Sequence, residues 1–176
     1  MKRYLWLLII CLFGCGTPIT TPLGIEVGVD VSGVDISEMD MSFVDIVYTI
    51  TVESMLKVAS VPATNKDELM SMAGGLSIFI TDRPIDCWNN INILACYSLE
   101  NNQIDLSYTT NKHDLAVYLS HELIHYLANK LGDKRSETHL APYYMRLCTS
   151  DNYLMGECPA VEAFVRVSIR EIYPPD

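Results

Sequence analysis

The chain has 176 residues, 49% of them hydrophobic, with 22 acidic against 12 basic side chains. It shows no internal repeat and no low-complexity tract, so its length fits one domain with a sizeable core. A formal net charge of -10 argues against nucleic acid or an anionic lipid face as partner.

The chain opens MKRYLWLLIICLFGC, with Lys2 and Arg3 ahead of an apolar run from Tyr4 to Phe13. That run is short for a bilayer span and suits a secretion signal. It ends in Leu12-Phe13-Gly14-Cys15, which resembles the lipobox of bacterial lipoproteins, with Phe13 bulkier than the residue usual there. The resemblance implies that residues 1–14 are a signal peptide and that Cys15 carries a lipid. It also implies a protein held to a membrane of the bacterial cell envelope, outside the cytoplasm. Residues 15–24 then read as a lipid-anchored tether rich in Gly, Pro and Thr, and 25–176 as the folded domain.

Four cysteines follow: Cys87, Cys96, Cys148 and Cys158. In an exported protein an even number points to disulfides, and none of the spacings is the Cys-x-x-Cys of redox catalysis. Three pairings are open. The two local ones, Cys87–Cys96 and Cys148–Cys158, would each contribute roughly 2–3 kcal/mol.

Alternation in IEVGVDVSGVDIS, residues 25–37, predicts a strand with a turn near Gly33. Phe43, Val47, Ile50, Met55 and Val58 trace a helix from Ser42, taken as its N-cap, to about Ala59. A short helix is expected over 65–72, capped by Thr64. After Gly74-Gly75, LSIFIT at 76–81 reads as a buried strand. A stapled loop follows over 87–96, then a hairpin over 96–108 around Asn101-Asn102. Leu115, Leu119, Leu127 and Leu131 mark a long helix from about Lys112 to a glycine cap at Gly132. A last helix is expected from Cys158-Pro159 to Ile172. The element order is that of an α+β domain.

The long helix carries the chemistry. His121 and His125 stand four apart, so their rings project one turn apart from one face and can share a Zn²⁺. Glu122, one position round, is set to hydrogen-bond a water on such a metal and to take its proton as the water attacks a carbonyl. His121-Glu122-Leu123-Ile124-His125 resembles the zincin metallopeptidases. That resemblance implies a small zincin-like domain: a twisted mixed sheet, an active-site helix and a C-terminal helix. In that family an edge strand pairs with the bound peptide, a role carried here onto residues 103–108. The metzincin continuation is missing, since Ala128 and Leu131 stand where its glycine and histidine would be.

A catalytic zinc needs a third protein ligand and an open position. His139 is the expected one, arriving from beyond the helix end, with Glu162 and then Glu137 as alternatives. His113, in the first helical turn, is expected on the surface. The sequence thus points to a monomeric, lipid-anchored zinc metallopeptidase with one zinc per chain, Glu122 as general base and a peptide or protein as substrate. Two other readings compete: an envelope lipoprotein acting as a binding or assembly module with a structural zinc, and a disulfide-stapled inhibitor or immunity-type lipoprotein with no metal.

Overall fold

In a computed structural model of the chain, residues 17–34, 40–58, 65–87, 90–132 and 159–174 are described; for 90–92 and 159–162 this covers the backbone course only. The strands are β1 (Ile19–Thr20), β2 (Glu26–Asp30), β3 (Ser77–Thr81), β4 (Ile85–Cys87), β5 (Asn90–Ile93), β6 (Ala95–Ser98) and β7 (Gln103–Ser107). The helices are α1 (Ser42–Val58), α2 (Lys66–Ser71), α3 (Lys112–Lys130) and α4 (Pro159–Ile172). Five strands form a mixed sheet in the order β1-β2-β3-β7-β6, and β4 and β5 form a separate ribbon. The expected α+β class holds among the described residues.

The three central strands, β2, β3 and β7, are parallel, and a strand at each end runs antiparallel. Parallel pairing of β2 with β3 requires a crossover, which α1 and α2 supply. The register aligns Val27 with Ile78 and Ile104, and Val29 with Ile80 and Leu106. All six are buried on the face that meets the helices. Their neighbours Glu26, Ser77, Gln103 and Asp105 occupy the other, more polar face.

Two expectations shift at the start of the chain. Ile19 and Thr20, expected within the tether, pair with β2. The Pro-Gly segment after them is a tight turn: Gly24 has φ +84°, its N–H donates to the Thr21 carbonyl at 2.8 Å, and Thr21 N–H donates to Ile25 at 2.9 Å. The cap of α1 is Asp40 and not Ser42. The Asp40 carboxylate accepts from Ser42 N–H at 3.1 Å, and its carbonyl accepts from Phe43 N–H at 3.0 Å. Similarly Asn65 caps α2, accepting from Glu68 N–H at 2.8 Å; Thr64 lies outside the described residues.

α3 is buried along most of its length, with Leu115, Leu119, Leu123, Ile124 and Leu127 in the core. Asn111 caps its start, and Gly132, at φ +100°, follows its end as expected. It packs on β6 and β7 and against α1 and α4. Tyr126, in its C-terminal half, stacks edge-on against Tyr97 of β6 with centroids 5.8 Å apart, and its hydroxyl donates to the Met72 carbonyl. α4 runs antiparallel to α1 and α3. Lys57 near the end of α1 lies over the Phe164 ring, whereas Lys112 at the start of α3 lies over that of Tyr173, just beyond α4, each at 4.4 Å. Arg166 pairs with Asp114 at 3.9 Å, and Val165 and Ile169 fill the space beneath.

Cys87 and Cys96 form a disulfide with Cα atoms 6.1 Å apart. It ties the β4–β5 ribbon, a small apolar cluster of its own with Ile85 and Ile93, to the terminal strand β6. The expected stapled loop is therefore a short antiparallel ribbon. Cys148, Cys158 and Cys15 lie outside the described residues. Among the described residues, no helix is long and apolar enough to cross a membrane.

Candidate metal and catalytic centre

The middle of α3 brings together His121, Glu122 and His125. The two imidazole rings have centroids 5.1 Å apart and planes inclined at 72°. His125 is 4% and Glu122 8% exposed, while His121 is half-buried. One turn of helix separates the two histidines, as four-residue spacing requires, and the packing of α3 on the sheet buries that turn.

Glu122 lies near β6, and the backbone amide of Tyr97 there favours its charged form. Burial pushes its carboxyl above the ordinary glutamate range, and the neighbouring His121 and the Tyr97 amide offset part of that rise. A carboxylate held this way is a stronger base than one in water. Tyr126, on the next turn, has its phenol pushed up to about 12 by burial, which keeps it neutral and suits it to packing.

The strand expected at the edge is corrected. Gln103–Ser107 is β7, an interior strand with β3 on one side and β6 on the other. The terminal strand is β6, the first arm of the hairpin. Both arms carry alternating apolar residues, and only the parallel pairing of β7 with β3 decides which of them ends the sheet. His113 also departs from expectation: it is half-buried, and its Nδ1 is buried with no hydrogen-bond partner among the described residues.

His139 and Glu137 lie outside the described residues, as does the side chain of Glu162, whose backbone falls in the first turn of α4. Among the described residues no third His, Cys, Asp or Glu joins the two histidines in a metal-binding group. Tyr97 has no signal in the sequence, because it acts through its backbone amide, which every residue but proline carries. Comparison of the chain with protein families, with characterised proteins and with solved structures finds no match.

Proposed function

We propose that this chain is a zinc-dependent metallopeptidase of the zincin type, with His121 and His125 as metal ligands and Glu122 as general base. The observation that carries the reading is the spacing of the two imidazoles beside a buried carboxylate. Two imidazole nitrogens at about 2.0–2.1 Å from a tetrahedral ion put the ring centroids about 5 Å apart; the rings here stand at 5.1 Å. An antiparallel terminal strand followed by a parallel strand and then the motif helix also agrees with a zincin-like core.

Bound zinc would polarise the substrate carbonyl and lower the pKa of the attacking water. Glu122 takes a proton from that water as the new C–O bond forms, then delivers it to the leaving amine as the C–N bond breaks. His125 is buried and His121 only half-buried, so the more open approach to the pair is from the His121 side.

For the third ligand, helix packing favours Glu162 over His139 and Glu137. Asp114, His121 and His125 recur along one stripe of α3, at intervals of seven and four residues. Arg166 meets Asp114 on that stripe, and α4 runs antiparallel to α3. Position 162 precedes Arg166 by one turn on the same side of α4, which carries it along the stripe toward His121. His139, an imidazole fourteen residues past His125, remains the competing ligand.

Location rests on the first fifteen residues: a peptidase anchored by lipid on Cys15 would work on peptides or proteins outside the cytoplasm, as a monomer. A hydrolysis assay on casein and a peptide library tests the activity. Cleavage by the zinc-loaded parent should fall at least 100-fold in Glu122→Ala. Equal cleavage by parent and variant would remove Glu122 from the reaction.

A further inference from the structure

A cavity of about 270 Å³ lies beside the loop that leaves the carboxyl end of β7 and enters α3. Ligands of open sheets with parallel strands gather at that end. Its lining divides by burial. Phe43 and Leu115 are buried and Tyr108 is half-buried, which makes the depth apolar. Exposed Asp40, Thr110 and Lys112 make the mouth polar, with one anion and one cation. The two charges differ in what they have left to bind. The Asp40 carboxylate already accepts from the Ser42 amide at 3.1 Å, from the Ser42 hydroxyl and from the Tyr173 hydroxyl at 3.2 Å. The first amides of α3 are likewise taken, since His113 and Asp114 both donate to the Asn111 side chain. Lys112 is not spent. Its ammonium lies 4.4 Å over the Tyr173 ring and is within ion-pair distance of no carboxylate among the described residues.

We propose that this cavity binds a small carboxylate bearing one apolar group, the group among Phe43, Tyr108 and Leu115 and the carboxylate on the Lys112 ammonium. Charge complementarity chooses the head: the ammonium keeps its donors, whereas Asp40 has shared its oxygens among three. Size chooses the tail, because the volume is at the lower end for ligand cavities and suits one aromatic ring or branched alkyl chain. A free organic acid and the carboxyl-terminal residue of a peptide share this chemistry. Lys112 precedes His121 by nine residues, about 14 Å along α3, so the cavity is separate from the proposed metal centre and owes nothing to zinc.

The test titrates the full, metal-free protein with 3-phenylpropanoate and follows the resonances of Phe43, Tyr108, Lys112 and Leu115. Saturable shifts at those residues are expected, with a Kd of about 1–10 mM. 3-Phenylpropanamide, which lacks the charge, should bind about threefold more weakly. Lys112→Glu should weaken the acid about fivefold or more and leave the amide within about twofold, while Lys112→Arg stays close to the parent. Asp40→Asn keeps a capping side chain and removes the opposing charge, so it should tighten the acid about twofold. Acetyl-Gly-Gly-Phe separates the two sources: tighter binding than 3-phenylpropanoate assigns the cavity to a peptide's carboxyl terminus, and weaker binding assigns it to a free acid. Equal affinity for acid and amide overturns the proposal. So does tighter binding of 3-phenylpropylamine, an undiminished acid affinity in Lys112→Glu, or the absence of shifts at these residues in the parent.

Discussion

Glu122 combines two demands that pull its carboxyl in opposite directions. Its place in the packed turn between α3 and β6 favours the neutral acid, while a proton acceptor has to be ionised. The Tyr97 amide and His121 supply partial compensation, but burial dominates. The sign of the resulting pH dependence follows directly. The folded carboxyl titrates above the unfolded one, so the metal-free protein carries no penalty from this group below the ordinary glutamate pKa. Stability is then lost as pH rises from that value through the folded one. Glu122→Gln keeps the shape and removes the charge. Thermal unfolding of metal-free protein should show the variant level with the parent at pH 4 and more stable at pH 7.5. A gap that does not change with pH would mean that Glu122 is as well solvated folded as unfolded. At this scale the sequence revealed the residue types at His121, Glu122 and His125, because four-residue spacing on a helix dictates a shared face. It could not reveal which backbone lies near the carboxylate, because β6 is a strand whose place no local pattern determines.

Among the elements, the helices were the most legible. α1, α3 and α4 begin and end within a residue or two of the expected positions, because apolar periodicity and the proline and glycine at their ends are local signals. Their caps were less so: Asp40 and Asn65 do the work expected of Ser42 and Thr64. Several short polar residues cluster at each start, and backbone geometry chooses among them. Asp40 accepts from the Ser42 backbone and from the Tyr173 hydroxyl at 3.2 Å, so it also links the first helix to the end of the last. Asp40→Ala should cost about 1 kcal/mol in urea unfolding at neutral pH. Hydrogen bonds from Ser42 hold the Asp40 carboxyl below the ordinary range, so that difference should shrink as pH falls through the folded value. An unchanged midpoint would assign the cap elsewhere. The ribbon is held differently. With only Ile85, Ile93 and the two half-cystines in its cluster, β4–β5 depends on the Cys87–Cys96 bond. Its replacement by two alanines should cost roughly 2–3 kcal/mol and raise hydrogen exchange in 85–93, leaving β3 and β7 protected. Loss of protection across the whole sheet would show the ribbon to be integral to the core.

At the scale of the whole molecule, the α+β class followed from element order, whereas the sheet order did not. Alternation marks Val27-Val29, Ile78-Ile80 and Ile104-Leu106 as strand interiors, yet their parallel pairing joins residues some 25 to 50 apart in sequence, for which no local pattern exists. That pairing makes β6 the terminal strand and sets α3 across β6 and β7, with α4 packed on α3 where Arg166 meets Asp114. The proposed centre is therefore a product of assembly: two histidines and a base from one helix, and a third ligand from another segment. That centre stands on zinc being bound. Elemental analysis of the folded, disulfide-intact protein, beside His121→Ala, His125→Ala, Glu162→Ala and His139→Ala, tests it most directly. One zinc per chain in the parent is expected, lost in both motif variants and in just one of the other two. A parent without zinc, or zinc retained when His121 and His125 are both alanine, would contradict the account.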